Sequence, residues 1–264
     1  MVTAFECTGE LFEFGGTPPQ TLRYPRVLTW MSAPADEEET LCGDLFLNLS
    51  TREERFVFGE GACERTLVLE VSTAACTDFD LTGQLAWPGA RLLCRWLSLQ
   101  PAGFFSRALE LGSGTGLSGI LYSARGGDVT LTDYQPVVLD LLARNAARAH
   151  GTAAVAPLLW GDQHHHAALL TLSGGYPCLL GADIVYPGSQ SYLPALMRSV
   201  NALLAPKGVF VLCYCSRSRV TDAALFLAMH QAGLAWRVAE GGESAPEGGV
   251  SGTVYLVTQT LAQM

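Results

Sequence analysis

The glycines with the clearest chemical use lie between residues 110 and 119, in the segment Glu110-Leu-Gly-Ser-Gly-Thr-Gly-Leu-Ser-Gly119. This segment follows an apolar run at 106–111 and precedes a helical pattern at 117–125. Gly112 and Gly114 permit a tight turn and let the backbone approach a ligand without interference from a Cβ. The same stretch satisfies the dinucleotide pattern G-x-G-x-x-G, so the glycines predict a cofactor loop but do not choose between NAD and S-adenosylmethionine.

Two acidic residues near this loop carry further information about the cofactor. Glu110 stands two residues before the first glycine. A carboxylate there would repel the pyrophosphate of NAD and attract the cationic amino-sulfonium end of S-adenosylmethionine. Asp133 ends the next apolar run, where an acid can accept hydrogen bonds from both ribose hydroxyls of either cofactor. Glu110 therefore favours S-adenosylmethionine, and Asp133 supports the fold more than the choice of cofactor.

An acid and a phenol follow the apolar run at 177–182 and could act on a second substrate. Asp183 and Tyr186 stand three residues apart on one loop, so both can turn into one pocket. If the second substrate is a lysine, with an ordinary pKa of about 10.4, it must bind and then lose its proton before it attacks a methyl group. We expect Asp183 to orient the ammonium and Tyr186, with a backbone carbonyl, to position the neutral amine. A neighbouring sulfonium would lower the pKa of the amine, so alignment and desolvation would supply most of the catalysis. The purely structural alternative has Asp183 capping a turn and Tyr186 packing on the following helix.

Histidines and cysteines do not form a convincing metal site in this sequence. The adjacent residues His164, His165 and His166 would point in different directions from a helix and could not converge on one ion. The eight cysteines include no C-x-x-C pair, and Cys213 and Cys215 are expected to pack in the core. We therefore expect no metal.

The elements that must position these residues alternate in a regular way. Apolar runs occur at 106–111, 128–132, 154–160, 177–182 and 208–214, separated by helical patterns at 117–125, 136–149, 164–171 and 189–204. This alternation predicts an α/β fold with a Rossmann-like, mostly parallel sheet and right-handed crossovers. A helix at 84–99 precedes the sheet, and a helix at 219–232 with runs at 234–239 and 253–260 follows it, giving seven strands with a terminal antiparallel hairpin.

The residues before this alternation divide into two parts. Residues 1–43 contain several prolines and an acidic run, which favours a partly ordered arm. Residues 44–80 contain short β-rich runs at 45–49, 55–58 and 66–71 and predict a small N-terminal β-meander. The domain that carries the glycine loop then occupies residues 81–264.

Composition limits the partners. The chain has 264 residues, 49% of them hydrophobic, and a formal net charge of −9, which disfavours nucleic acid and favours a basic or lysine-bearing protein segment. The sequence shows neither a secretory signal pattern nor an apolar run of 18 residues. We therefore expect a cytoplasmic protein, with a nuclear location also possible, that is monomeric and not bound to a membrane.

Four motifs in order resemble those of the seven-β-strand protein methyltransferases that carry a D-x-x-Y motif, a group of methyltransferase-like lysine methyltransferases. The motifs are the glycine loop, Thr132-Asp133, Leu158-Leu-Trp-Gly-Asp162 and Gly181-Ala-Asp-Ile-Val-Tyr186, and the resemblance covers about residues 80–215. It implies that Trp87 lies near the cofactor at the mouth of the site and that Trp160 stacks on the adenine. It also implies that Ala182 touches the cofactor and that Asp162 either bonds the adenine amino group or caps the next helix. Core packing is the structural alternative for both tryptophans.

These observations favour an S-adenosylmethionine-dependent N-methyltransferase that acts on a lysine of another protein. Three alternatives remain open at this point. They are a small-molecule N-methyltransferase with residues 1–43 as a lid, an NAD-dependent oxidoreductase, and a cofactor-binding scaffold without catalysis.

Overall fold

A computed structural model describes residues 50–73, 82–104, 106–149, 153–243 and 250–260. The predicted arm at 1–43 and the predicted run at 45–49 lie outside these residues. The N-terminal part of the described chain is an antiparallel pair of strands, β1 (Thr51–Phe58) and β2 (Arg65–Ser72). The other two runs of the predicted meander are thus confirmed as strands.

The main sheet has seven strands in the spatial order β5-β4-β3-β6-β7-β9-β8. The strands β3 to β7 are parallel, and β9 is antiparallel to both β7 and β8, as the predicted terminal hairpin requires. Their bounds are β3 (Arg107–Glu110), β4 (Asp128–Asp133), β5 (Ala154–Pro157), β6 (Tyr176–Ala182), β7 (Leu204–Tyr214), β8 (Leu234–Glu243) and β9 (Thr253–Gln259).

Six α-helices connect or precede these strands: α1 (Pro88–Ser98), α2 (Leu117–Ala124), α3 (Pro136–Arg148), α4 (Gln163–Ser173), α5 (Leu193–Leu203) and α6 (Arg219–Gln231). Two predicted helices begin later than expected. The helix predicted at 84–99 begins at Pro88, because Trp87 has an extended backbone and proline suits a first helical position. The helix predicted at 189–204 starts as one 3₁₀ turn, Ser189–Tyr192, before α5.

The helices cover the two faces of the sheet and bury two apolar clusters. Along β3 the side chains alternate, so Ala108 joins the cluster under α1, α2 and α3 while Leu109 joins the cluster under α4, α5 and α6. The β1–β2 pair adds Phe56 and Leu67 to the first cluster. The seven-stranded sheet and its helices therefore form three layers with the sheet in the middle, and the β1–β2 pair packs on the helices of the first cluster.

The strand order reverses beside β3. The chain moves from β3 outward to β4 and β5 and then returns to β6 on the other side of β3. In open α/β sheets such a reversal leaves a crevice at the carboxyl ends of the strands, where ligands bind. The fold therefore places the glycine loop after β3 and the Asp183–Tyr186 loop after β6 at the same crevice. Within the described residues, no helix combines the length and apolar character needed to cross a membrane.

Candidate active site

The glycine loop after β3 requires glycine for two reasons. Gly112 and Gly114 have φ angles of +60° and +53°, which side chains rarely adopt. A Cβ on Gly112 would lie 2.9 Å from a methyl carbon of Ile184, and one on Gly114 would lie 2.8 Å from the carbonyl oxygen of Gly83. The loop backbone is therefore packed closely on its neighbours while its other side remains open to a ligand.

A cavity of about 630 Å³ opens where β3, β4 and β6 end. This volume is in the range of small-molecule and cofactor sites. Eight of the ten residues expected from the sequence line it: Trp87, Gly112, Gly114, Asp133, Trp160, Ala182, Asp183 and Tyr186. The two others, Glu110 and Asp162, are not among its lining residues.

The sequence predicts that Glu110 faces the cofactor, but in the structure its carboxylate is turned towards α2. Its carboxylate accepts hydrogen bonds from Ser118 Oγ at 2.5 Å and from the backbone N–H of Gly119 at 3.2 Å. Both groups belong to the first turn of α2, where backbone N–H groups lack helical partners. Burial raises the pKa of Glu110 to about 7 despite these hydrogen bonds. The predicted direct contact between Glu110 and the cofactor is therefore corrected: the carboxylate is hydrogen-bonded to the first turn of α2 and does not line the cavity.

Asp162 follows the second of its two expected roles. Its carboxylate accepts hydrogen bonds from the backbone N–H groups of His164 and His165, at 2.8 and 2.9 Å, and so caps α4. These hydrogen bonds, that from His165 first, lower the pKa of Asp162. Two of the three adjacent histidines have different ring partners: the ring of His165 accepts from Leu159 N–H, and the ring of His166 is bonded to Ser199.

Asp133 lies in the cavity at the end of β4. One carboxylate oxygen accepts from the N–H of Gly114 at 3.0 Å, and the other from the N–H of Tyr134 at 2.8 Å. Burial raises the pKa of Asp133. Because each carboxylate oxygen can accept more than one hydrogen bond, this residue can hold the loop and still accept two ligand hydroxyls.

The two tryptophans that line the cavity differ in their surroundings. Trp87 is 38% exposed at the mouth, and its indole N–H donates to the carbonyl oxygen of Thr82 at 2.7 Å. Trp160 lies in the loop after β5 rather than inside the predicted run at 154–160, and it both lines the cavity and packs on the second apolar cluster. Core packing and ligand contact are therefore compatible for Trp160, whereas Trp87 is too exposed for a core role.

The bonding of Asp183 differs most from the prediction that this residue orients an incoming ammonium. Its carboxylate forms a two-point ion pair with Arg217, with N···O distances of 2.5 and 2.7 Å, and also accepts the backbone N–H of Gly89 at 3.1 Å. The side chain of Asp183 is 1% exposed. Asp183 therefore presents no unpaired anion to an incoming ammonium, because Arg217 follows β7, the strand next to β6, and reaches it.

Tyr186 is half-buried and lines the cavity. Its loop is fixed by Ser189, whose hydroxyl donates to the carbonyl oxygen of Tyr186 at 2.7 Å and accepts the N–H of Tyr186 at 3.0 Å. The phenol is thus held at the ligand cavity by a closed turn. The structure brings Tyr186, the glycine loop and Asp133 to one site.

Sequence reasoning missed two residues that shape this site. Arg217 follows the apolar run that became β7, and a charged residue at the carboxyl end of a predicted parallel strand is a signal that could have identified it. Gly89 lies in the first turn of α1, and a Cβ there would come 2.8 Å from the Cβ of Asp183. The tight approach of α1 to β6 therefore depends on glycine, which no local pattern reveals.

The charges of the cavity fit a cationic cofactor better than a pyrophosphate. Its charged lining residues are Asp133, Asp183 and Arg217. Since Asp183 and Arg217 neutralise one another, Asp133 leaves the cavity with a net negative charge among the described lining residues. A pyrophosphate would meet no unneutralised basic side chain there, whereas the sulfonium and ammonium of S-adenosylmethionine would be attracted.

Comparison with known proteins agrees with this site. Residues 75–232 match the model of a family described as lysine methyltransferase. The chain belongs to this lysine methyltransferase family. Membership confirms the resemblance inferred from the four motifs and implies S-adenosylmethionine as the cofactor. It also removes the NAD-dependent oxidoreductase from the alternatives.

Curated relatives carry the same description. The chain is 38% identical over 131 residues to EEF1A lysine methyltransferase 3 of Mus musculus and 35% identical over 133 residues to Protein N-lysine methyltransferase METTL21A of Danio rerio. Each match covers 48% of this chain, and they cover 53% and 58% of the two relatives. The chain thus spans little more than half the length of these relatives. A SAM-dependent methyltransferase from Agrobacterium tumefaciens has a TM-score of 0.49 at 15% identity, covering 78% of this chain and 70% of that one.

Proposed function

We propose that this protein transfers a methyl group from S-adenosylmethionine to the ε-amino group of a lysine in another protein. One observation carries the proposal. In a chain of the lysine methyltransferase family, the glycine loop, Asp133 and the Asp183–Tyr186 loop line a single cavity at the strand-order reversal. The residues that we propose for the cofactor and those that we propose for the acceptor thus line the same cavity.

The described residues fit the cofactor. The backbone of Gly112 and Gly114 would lie against it, Asp133 would accept its ribose hydroxyls, and Trp160 would stack on its adenine. When bound, S-adenosylmethionine supplies a methyl group on a positively charged sulfur. The Cβ atoms that Gly112 and Gly114 lack would meet Ile184 and Gly83, so the loop surface at the cavity is backbone.

On the acceptor side, the neutral pair of Asp183 and Arg217 changes the expected roles. An incoming lysine meets no unpaired carboxylate from Asp183, so it is not held there in its protonated form. Asp183 instead fixes the wall of the cavity by bonding Gly89 and Arg217. Tyr186 is then the side chain that would position the neutral amine, and water carries the proton away. Alignment and desolvation supply the rate enhancement.

The partner side of the proposal rests on charge and exposure. The net charge of −9 favours a basic or lysine-bearing protein segment over nucleic acid. Trp87 and Tyr192 are 38% and 48% exposed where they line the cavity, so its mouth offers aromatic surface to a protein. Relatives are named for lysine methylation of EEF1A and of calmodulin, which are proteins. We further propose a monomer that acts in the cytoplasm, with a nuclear location also open.

Calorimetric titration tests the cofactor. S-adenosylmethionine should bind the purified protein at one site, and NAD should give no heat of binding. The reverse result would refute the proposed function. Asp133→Asn should weaken binding, while Asp128→Asn, the same change at an exposed position on the opposite edge of the sheet, should leave it unchanged.

Labelling of a cell lysate tests the acceptor. With methyl-labelled S-adenosylmethionine, the protein should place label on a discrete protein band, and amino-acid analysis should find it on lysine. Tyr186→Phe should reduce the labelling, and Asp128→Asn should not. Label that enters only low-molecular-mass compounds would favour the small-molecule alternative. Cofactor binding without any labelling would favour a scaffold without catalysis.

A further inference from the structure

A second cavity lies beside the proposed cofactor cavity, at the same end of the parallel strands. Strand β7 ends there, and β9 begins there because it runs antiparallel to β7. This cavity has a volume of about 410 Å³, and its lining includes Tyr214, Arg217, Asp222 and Tyr255. Arg217 lines both cavities. The two spaces are therefore neighbours along the crevice, with the Asp183–Arg217 pair between them.

The second cavity contains an oriented carboxylate. Asp222, in the first turn of α6, accepts a hydrogen bond from the hydroxyl of Tyr214 at 2.6 Å and another from Ser216 Oγ at 2.9 Å. Each bond engages a different carboxylate oxygen, so both oxygens retain capacity for a further donor. Burial, and then the hydrogen bond to Asp222, raise the pKa of Tyr214, which keeps the phenol protonated as a donor.

Aromatic rings form part of the same wall. Phe226 lines the cavity and packs edge-to-face against Tyr255, with 5.7 Å between ring centroids. Phe226 is also stacked on Trp236 at 5.4 Å, which holds its ring in place. A carboxylate beside fixed aromatic rings is a suitable environment for a cation, because the ring faces carry negative partial charge.

The charge balance of the second cavity is negative. Asp222 is the one acid and Arg217 the one base among its described lining residues. The guanidinium of Arg217 is bonded at two points to Asp183, so its charge is largely compensated from the other side. Asp222 therefore sets the sign of the field that a ligand entering this cavity meets.

We propose that the second cavity is a subsite for a basic side chain of the substrate protein, with Asp222 as its counter-ion and Phe226 and Tyr255 as its aromatic wall. Arginine suits the site best, because its planar fork can donate to both oxygens of one carboxylate and stack on an aromatic ring. Taken with the proposed function, the subsite selects acceptor lysines that have an arginine nearby in the sequence or on the surface of the substrate.

Short peptides test the subsite without requiring turnover. We would use acetylated lysine peptides in which one arginine stands one to four residues from the lysine, each matched by a peptide with neutral citrulline at that place. Amide chemical-shift titration gives the dissociation constant and also shows which cavity responds. At least one arginine peptide should shift residues around Phe226 and Tyr255, and its citrulline counterpart should bind about tenfold more weakly, the effect of one charge-assisted hydrogen bond.

Variants of the protein complete the test. Asp222→Asn should weaken binding of the arginine peptide about tenfold and leave the citrulline peptide and S-adenosylmethionine unaffected. Asp128→Asn removes the same charge at an exposed place on the opposite edge of the sheet and should change neither peptide.

Any one of three results would refute the proposed subsite. They are equal affinity for the arginine and citrulline peptides, equal affinity of Asp222→Asn and the unaltered protein for the arginine peptide, and no chemical-shift changes at the second cavity with any peptide. Failure of S-adenosylmethionine to bind would refute the proposed function instead and would leave the shifts at the second cavity readable.

Discussion

Replacing Arg217 with glutamine should change the pH dependence of methyl transfer. In the structure both carboxylate oxygens of Asp183 are bonded to the guanidinium, at 2.5 and 2.7 Å, and the Asp183 side chain is 1% exposed. Glutamine removes the positive charge but keeps an amide that can donate to the carboxylate. Asp183 would then be an unneutralised anion in the wall of the active cavity, and the acceptor lysine would be stabilised as its ammonium.

The size of the effect follows from Coulomb's law. For a separation of roughly 7 Å and an effective dielectric constant of about 20, one carboxylate stabilises the ammonium by about 2 kcal/mol. This raises the pKa of the bound amine by between about one and two units. The alkaline rise of kcat should therefore move to higher pH by that amount. At neutral pH the variant should show a lower kcat and also a lower KM, because the protonated substrate binds better.

The assay is an initial-rate measurement over the neutral and alkaline range with the protein substrate that the labelling experiment identifies. Loss of one partner of a buried ion pair also destabilises the fold, by about 3 kcal/mol, so rates must be taken well below the melting temperature of each variant. Arg217→Lys keeps the charge and should keep the pH profile. The double variant Asp183→Asn with Arg217→Gln has no charge at either position and should return the profile towards that of the unaltered protein.

A fall in kcat at every pH, with the profile and KM unmoved, would refute this reasoning. Arg217 would then support the cavity wall mechanically, without an electrostatic role in acceptor protonation. A shift that persists in the double variant would equally contradict it, because no uncompensated carboxylate would remain at position 183.

Three further outcomes are expected. Tyr186→Phe should lower kcat about tenfold with little change in the Kd of S-adenosylmethionine, measured by calorimetry; a change in Kd alone would contradict its acceptor role. Because burial raises the pKa of Glu110 to about 7, the folded state holds an extra proton between pH 4.5 and 7. The contribution of Glu110 to the free energy of unfolding should thus fall by about 3 kcal/mol as pH rises through that window, and denaturant titrations of Glu110→Gln should lack that fall. Gly114→Ala should abolish cofactor binding, because its Cβ would lie 2.8 Å from the carbonyl oxygen of Gly83 and its φ is +53°; an unchanged Kd would show that the loop can relax.

Periodicity predicted the main sheet well because its signal is local. A parallel strand that is covered on both faces appears as a continuous apolar run, as at 177–182, which forms most of β6 (Tyr176–Ala182). The start of α1 was predicted too early, although its signal is also local, because proline disfavours a helical backbone at the residue before it. At Trp87 the backbone stays extended, and the helix begins only at Pro88. The apolar spacing alone fits a helix that includes Trp87 as well as one that begins after it.

The sequence also predicted most of the residues that line the cavity. It did not predict the hydrogen-bond partners of the carboxylates. The carboxyl-edge rule placed Asp133, Asp183 and Tyr186 at one cavity, because topology alone decides it. The partners of the carboxylates depend on contacts between distant segments. Asp183 meets Arg217 across 34 residues of sequence, and Glu110 meets the start of α2 only after the glycine loop has turned.

The bonding partners of Glu110 and Asp183 change which charges are expected to select the cofactor. A single acid next to the glycines first suggested direct attraction of the sulfonium, but Glu110 is buried against α2 and is only partly ionised near neutral pH, given its pKa of about 7. Asp133 is the acid that faces the cavity, and Arg217 does not cancel it because Asp183 engages that guanidinium. The preference for a cation therefore belongs to the charge balance of the whole cavity. The charge of Asp183 is therefore expected to bear on cofactor selection: without it, Arg217 would cancel the charge of Asp133, leave the described lining residues with no net charge and weaken the discrimination against phosphate-bearing cofactors.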